Sequence, residues 1–250
     1  MSENSLIERW NDLQIQPVFE NLTCVICNFT YSMNQFKQHK SQDKFHAGNL
    51  VRYECPNCNV IFGDLRFLNL SLDEIGKDYT DLYSYCKEGD TSTYILKILD
   101  KLNLGKDKVY LDFACGERES TLTLLNGNNY NVYGHDAYAF NSHPKFLKKI
   151  NDDTKYDVVY SSNYIEHVID PYKDLAVLVN LLNDNGKLVM MSACWEYAYE
   201  YSHYHTFFFL GKSVEYLCKN LNIKEIYSEK IIFEDGEWTI IKIFEKYLNI

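Results

Sequence analysis

The apolar and polar positions of this chain change register a little before its midpoint. From residue 109 onward, short apolar runs alternate with segments of helical spacing. Val109, Tyr110 and Leu111 lead into Asp112 and then into Phe113, Ala114, Cys115 and Gly116, the pattern of a strand whose C-terminal end opens into a turn. Ser120 to Leu125 reads as a short helix, and Asn131 to Gly134 as a second strand ending in His135 and Asp136. Tyr156 to Tyr160 reads as a third strand, Pro171 to Leu182 as a helix, and Lys187 to Ser192 as another strand. The tail repeats the grammar: Lys212 to Leu221 is a helix, and Ile223 to Ser228 and Trp238 to Phe244 are strands joined by a hairpin turn at Glu234 to Glu237. This alternation predicts an α/β fold with a doubly wound, mostly parallel sheet, closed at one edge by an antiparallel C-terminal hairpin. Ligands of such sheets lie beyond the carboxyl ends of the strands, where Asp112, Asp136 and Ser161 to His167 fall.

The first part of the chain follows other rules. Met1 to Leu22 patterns as an amphipathic lead-in, with Leu6, Ile7, Trp10 and Leu13 at helical spacing. Cys24 and Cys27 then form one C-x-x-C pair and Cys55 and Cys58 a second. Four soft thiolates in two such knuckles match a tetrahedral structural zinc, with all four coordination positions closed and no catalytic role. Two disulfides would be out of place in a cytoplasmic protein. The 27 residues between the knuckles hold His39 and His46, whose spacing does not fit a two-cysteine, two-histidine finger, so a polar loop is expected there. Asp73 to Leu104 has mostly helical spacing, with Tyr79, Tyr83 and Tyr85 ahead of Tyr94, Ile95, Ile98, Leu99 and Leu102, and Gly105 is placed to cap it. The expected organisation is a zinc-binding module over residues 1–70 and a larger domain over 71–250.

Composition narrows the function. A chain of 250 residues with 46% apolar content can bury a core, and it contains no apolar run approaching the ~20 residues of a membrane span. The polar start is unlike a signal peptide, so a soluble cytoplasmic protein is expected. A net charge of -10 weighs against a partner that is mainly phosphate backbone, and residues 1–66 carry six Lys or Arg against seven acids.

The cofactor is read from the first turn. A dinucleotide site wants three glycines around a pyrophosphate; here Gly116 stands alone and Glu117 and Glu119 would repel that ligand. A cationic, phosphate-free cofactor suits those acids. The motifs L-D-F-A-C-G-E-R, G-H-D-A, Y-D-V-V-Y-S-S-N-Y-I-E-H-V-I-D-P and L-L-N-D-N-G-K-L-V-M, in that order over Val109 to Met191, resemble the class I S-adenosylmethionine-dependent methyltransferases.

The resemblance implies that Asp112, Phe113, Ala114, Cys115 and Gly116 hold the methionine end of S-adenosyl-L-methionine. Asp136, followed by Ala137, would meet its ribose hydroxyls, and Ser162 and Asn163 would lie near the methyl group. Ala114 and Arg118 stand where that family prefers glycine. Only 19 residues separate Asp136 from Tyr156, so any strand and helix there must be short, with Asp152 or Asp153 left to meet the adenine amine. The cysteine pairs followed by a Tyr-rich linker also resemble bacterial sugar or surface-polysaccharide methyltransferases with a zinc-bearing lead-in, and an enzyme without the large C-terminal domain of the sugar C-methyltransferases is expected.

Methyl transfer to a hydroxyl needs alignment and a base. The candidate bases are His205, His203 and His167, the last beside Glu166. Trp195, Tyr197, Tyr199 and Tyr201 recur at every second residue, as either one side of a sugar-sized pocket or an extended edge packed on the body. The leading expectation is an O-methyltransferase of a small carbohydrate-like molecule, such as a nucleotide-activated or capsular polysaccharide precursor. An RNA methyltransferase with a zinc module and a catalytically silent binding module are the alternatives. Whether a divalent cation takes part, and how many copies assemble, stay open.

Overall fold

The computed structural model describes residues 20–45, 48–85, 89–151, 153–196 and 201–247. The expected lead-in around Leu6, Ile7, Trp10 and Leu13 lies outside these residues, as do His46, Asp152, Tyr197 and Tyr199. In chain order the first strands are β1 (Asn21–Thr23), β2 (Thr30–Ser32), β3 (Lys37–Gln42), β4 (Asn49–Glu54) and β5 (Val60–Gly63). Helices α1 (Leu65–Leu68), α2 (Leu72–Tyr85) and α3 (Ser92–Leu102) follow, then β6 (Val109–Phe113), α4 (Ser120–Gly127), β7 (Asn131–His135) and β8 (Tyr156–Ser162). The chain continues through α5 (Pro171–Asn180), β9 (Leu182–Ser192), β10 (Phe207–Phe209), α6 (Ser213–Leu221), β11 (Ile223–Ile232) and β12 (Trp238–Lys246).

These elements form two compact units that interleave along the sequence. One unit draws on Met1–Asp78, Ile165–Asp174 and Ser192–Leu221, the other on Tyr79–Tyr164, Leu175–Met191 and Asn222–Ile250.

The second unit holds a six-stranded sheet in the order β11-β12-β9-β8-β6-β7. Strands β7, β6, β8 and β9 run parallel, and β11 and β12 form the antiparallel hairpin. Tyr110, Val132, Val158, Tyr160, Val189 and Met191 from the strands pack with Ile95, Ile98 and Leu99 of α3 and Leu122 and Leu125 of α4. The periodic spacing of apolar residues in α3 puts one stripe onto the sheet, and each large side chain buried there contributes roughly 2 kcal/mol or more. Asn103, not Gly105, caps α3: it takes the left-handed conformation at φ 48° and its N–H donates to the Leu99 carbonyl at 3.1 Å. Asn tolerates that conformation because its short polar side chain is satisfied locally. No helix or strand forms among the described residues between His135 and Tyr156. Instead a loop runs back beside β7, with Gly134 N–H donating to Lys145 O at 3.1 Å and Leu147 N–H donating to Gly134 O at 2.7 Å.

The first unit is built on an antiparallel sheet, β10-β5-β4-β3, with β1 and β2 as a separate hairpin. The span between the cysteine pairs is therefore β-structure and not the polar loop expected. Lys37–Gln42 alternates charge and amide without an apolar face, which disguised it as a strand. Phe207, Phe208 and Phe209 are all buried, and this short aromatic run pairs with Val60–Phe62. Trp195 sits in a 3-10 turn, Ala193–Trp195, so the alternating aromatics do not begin as an extended edge; Trp195 is buried against Phe209 at 5.1 Å between ring centroids, and Tyr201 is exposed.

Candidate functional site

Three constellations carry chemistry. The first is the cysteine cluster of the antiparallel unit. Both knuckles are folded by the same bonds: Cys24 N–H donates to Phe29 O at 3.0 Å and Asn28 N–H to Cys24 O at 3.0 Å, while Cys55 N–H donates to Val60 O at 2.9 Å and Asn59 N–H to Cys55 O at 3.0 Å. Asn28 and Asn59 close the turns in left-handed conformations, φ 59° and 64°. Each knuckle aims a backbone N–H at a sulfur, Ile26 at Cys24 and Asn57 at Cys55, both at 3.4 Å. The knuckles meet with Cys24 Sγ 3.6 Å from Cys58 Sγ and Cys27 Sγ 3.6 Å from Cys55 Sγ. That is far beyond a disulfide bond, and close to the ~3.8 Å edge of a sulfur tetrahedron with metal–sulfur bonds of about 2.3 Å. The Cys58 thiol and then burial push Cys24 well above the ordinary thiol range, and burial takes Cys55 up to about 12. Four buried sulfurs converge, which is the donor set a soft divalent ion satisfies. His39 stays out of this set, since its Nε2 lies 2.9 Å from Glu54 Oε2.

The second constellation is the turn after β6. Asp112 is buried on the strand, opposite Tyr160 of β8. Ala114 and Gly116 both adopt positive φ, 59° and 69°. Alanine thus occupies a conformation glycine adopts freely, the physical reason for a glycine preference at this position. Gly116 N–H donates to Asp136 Oδ2 at 3.0 Å, and Tyr138 and Ala139 N–H groups donate to Asp136 Oδ1, both at 2.8 Å. The two strand-end loops are therefore tied through the Asp136 carboxylate. Cys115 N–H adds a bond to His135 O at 3.1 Å, and Asn141 reaches the Arg118 carbonyl at 2.8 Å. Arg118 takes its place in the turn through that carbonyl. Phe113 packs on His135 and Tyr164, with centroids 5.8 and 5.2 Å away. Ala137 and Asn163 are exposed and Ser162 is half-buried, at the ends of β7 and β8. Asn163 is in the left-handed region at φ 51° and its N–H donates to Met191 O at 2.8 Å. Asp153, offered for the adenine amine, is exposed.

Burial raises Asp112 to about 7; the Tyr160 hydroxyl offsets part of this and the Asp136 charge adds to it. An electron-rich cradle of this kind favours a cation. It also couples stability to pH. The folded pKa lies above the unfolded value of about 3.9, so the folded state holds the proton more tightly; the resulting stability is present below about pH 4 and is lost as pH rises through 7. Asp112→Asn is therefore expected to remove a decline of a few kcal/mol between about pH 4 and 7, read as the difference between wild-type and variant urea midpoints across that range. Equal slopes would refute it.

The third constellation belongs to the antiparallel unit. Glu166 and His167 lie in the 3-10 turn Ile165–His167, and His205 lies just before β10. Thr206 ties the two segments: its N–H donates to Glu166 O at 2.6 Å, and its hydroxyl donates to Glu166 O at 3.0 Å and to Val168 O at 2.5 Å. One ligand atom each of Glu166, His167 and His205 falls within 4.8 Å of the others. Burial raises Glu166 to about 7, with Ser192 holding it partly down. Burial lowers His167 to about 4 against a bond to the Tyr204 carbonyl, and Lys44 lowers it further. His167 is therefore neutral near pH 7. Its Nδ1 lies 3.2 Å from Tyr204 O, which can only accept, so the proton sits on Nδ1 and Nε2 carries a lone pair.

His203 does not join this cluster. It is buried, with Nδ1 3.1 Å from Asp43 and Nε2 3.3 Å from Asp78. Burial alone would lower its pKa, but the two carboxylates outweigh burial and raise it. Arg52, fully buried, donates through Nε to His205 O at 3.0 Å and through Nη2 to Ser202 O. Arg52, Asp43, Asp78 and Thr206 were missed in the sequence. Arg52 alone left a signal, as a cation at an inward position of the alternating strand N-L-V-R-Y-E.

A mostly parallel sheet with paired acids at adjacent strand ends and a single-glycine turn defines an S-adenosylmethionine-dependent methyltransferase fold. The family model described as Methyltransferase domain matches residues 88–214, just over half the sequence, and the chain belongs to that family. Among solved structures, it resembles the 1,6-didemethyltoxoflavin N1-methyltransferase of Burkholderia thailandensis, crystallised with 1,6-didemethyltoxoflavin and S-adenosylhomocysteine, at 13% identity and TM-score 0.57 over 84% of this chain and 99% of that one. It also matches the magnesium protoporphyrin IX methyltransferase of Synechocystis PCC 6803, solved with S-adenosylmethionine, at 14% identity and TM-score 0.47 over 71% of this chain and 99% of that one. A further match is the CcbJ methyltransferase of Streptomyces caelestis, at 11% identity and TM-score 0.47 over 68% and 96% of the two chains. Comparison with curated proteins found no match. Among the described residues, no helix is long and apolar enough to cross a membrane.

Proposed function

We propose that this methyltransferase acts on a hydroxyl of a small, sugar-like acceptor, such as a nucleotide-activated or capsular polysaccharide precursor. The observation that carries this reading is the Glu166, His167 and His205 cluster, a polar site with Glu166 buried and both histidines half-buried, which begins three residues after Asn163 in the chain. Bound S-adenosylmethionine supplies an electrophilic methyl group on a sulfonium. In this reading Asp112, Phe113, Ala114, Cys115 and Gly116 hold its methionine end, Asp136 meets the ribose with the lone pairs its backbone bonds leave over, and Ser162 and Asn163 lie toward the methyl group. The acids of the turn suit a cation.

His205 and His167 activate the acceptor, and His203 has a positioning role, because both its ring nitrogens face carboxylates. The four cysteines hold a structural zinc. The acidity of the chain favours a small acceptor over RNA.

The test is incubation with labelled S-adenosylmethionine and a panel of nucleotide sugars, with mass detection of one added methyl. His205→Ala should lower turnover by about 10²- to 10⁴-fold with S-adenosylmethionine affinity unchanged. Full turnover in both His205→Ala and His167→Ala would sink the assignment of the acceptor site, and salt-dependent RNA binding with no transfer to sugars would replace the substrate class.

A further inference from the structure

We propose that the cleft at the N-terminal ends of β8 and β9, lined by Lys155 and Lys246, binds a phosphomonoester dianion carried on an apolar body. Every residue of this cleft belongs to the second unit, and the inference stands whatever the methyl acceptor is.

The cleft has a volume of about 820 Å³. Lys155 directly precedes β8, Leu182 opens β9 and Lys246 ends β12, so the cleft lies at the opposite end of the parallel strands from Asp112, Asp136 and Ser162. Ile150, Val177 and Leu181 give it an apolar wall.

The charged part of the lining is gathered by backbone. Lys155 Nζ donates to Asn180 O at 2.7 Å and Lys246 Nζ to Leu182 O at 2.8 Å, where α5 ends and β9 begins. The carbonyl end of a helix favours a cation, and here two are collected within three residues of chain. Burial, and after it the charge of Lys155, hold Lys246 below the usual amine range, with Asp184 opposing them. The like charge outweighs the acid. In a chain of net charge -10, this cleft is locally short of negative charge. An adjoining cleft of about 460 Å³ shares Asn183 and Asp184 but is balanced. There Lys187 pairs with Glu245, and Asp157 accepts from Val109 N–H at 2.8 Å and from Asn183 Nδ2 at 3.0 Å.

A dianion cancels two ammonium charges. An ammonium carries three donors, so the Leu182 bond leaves Lys246 with two for phosphate oxygens. Charge-assisted bonds of this kind are about twice as strong as neutral ones. The apolar wall selects a phosphate that carries a ring or short alkyl body, since covering that wall adds affinity the bare ion lacks.

Full-length protein with its cysteine cluster filled with zinc would be titrated by calorimetry with phenyl phosphate, inorganic phosphate and benzoate at fixed ionic strength and about pH 8, where the phosphomonoester is a dianion. One phenyl phosphate per chain is expected, bound at least about tenfold more tightly than inorganic phosphate or benzoate. Lys155→Gln and Lys246→Gln should each weaken it at least about tenfold, with S-adenosylmethionine affinity unchanged. Lys155 is exposed, so its substitution leaves the fold intact, and Lys246→Arg, which keeps the charge, should retain binding. Absence of saturable phenyl phosphate binding overturns the proposal, as does binding that neither glutamine substitution weakens. Displacement of phenyl phosphate by S-adenosylhomocysteine would also overturn it, by moving the ligand to the cofactor turn. Equal affinity for benzoate would remove the phosphate class, and equal affinity for inorganic phosphate would reduce the cleft to an adventitious ion site only.

Discussion

Replacing Cys58 by serine is expected to strip the protein of one zinc per chain and to unfold the antiparallel unit at ordinary temperature. The four sulfurs are buried, they sit at tetrahedral spacing, and they join β-structure on both sides of a span of 27 residues. Structural zinc sites contribute on the order of 10 kcal/mol of apparent binding free energy, which is folding free energy where the site does not exist in the unfolded chain. A domain-sized unit has a net stability of about 5–15 kcal/mol, so losing the metal consumes most of it. Elemental analysis should show about one zinc per wild-type chain and almost none in the variant, and circular dichroism should show a loss of at least about 10 °C in melting temperature. A strong chelator should reproduce the change in the wild type. A variant with unaltered melting would mean that the thiols are only packed side chains.

The second large effect is expected from Arg52→Met. Its guanidinium is fully buried and donates to the Ser202 and His205 carbonyls. Methionine fills much of the volume but leaves those carbonyls without their donor. Each buried acceptor left unpaired costs about 1–3 kcal/mol. Next to Ser202, His203 is held between the buried Asp43 and Asp78 and makes stability depend on pH. A histidine whose folded pKa is raised stabilises fully below its unfolded pKa of about 6.5, and loses that contribution as pH rises through the folded value. Wild-type urea midpoints should therefore be lower at about pH 8.5 than at about pH 6. A cost under about 1 kcal/mol would show that the network is solvated and slack.

Much of the parallel sheet was legible because its strands are short apolar runs that end in Asp112, Asp136 and Ser161, and because strand ends in such sheets face ligands. Strand lengths were underestimated where polar residues extend them, as at Ser161 and Ser162 in β8 and Asn183 to Gly186 in β9. The cysteine cluster was legible from spacing alone. The histidine site was legible only in part. His167 and His205 were both singled out, but nothing in a linear sequence brings residues 38 apart together. That depends on Thr206, a residue with no periodic signal, spanning two carbonyls of another turn. His203 read as a base for the converse reason: the acids that occupy its ring, Asp43 and Asp78, lie 160 and 125 residues away.

The knuckles do more than hold four sulfurs. The Cys58 carbonyl accepts the Lys212 N–H at 3.0 Å at the start of α6, the Ile26 carbonyl accepts the Tyr172 hydroxyl, and Asn57 Nδ2 donates to the Tyr216 hydroxyl at 3.0 Å. The stretch from 165 to 174 and the stretch from 192 to 221, which carry Glu166, His167 and His205, are thus moored to the backbone of the two knuckles. Enzyme made under zinc starvation would accumulate as a chain that has its cofactor-binding residues but no ordered acceptor pocket. If zinc fills the cluster, adding it would then restore turnover at the speed of folding, and the trace-metal supply would set how much of this catalyst is in service.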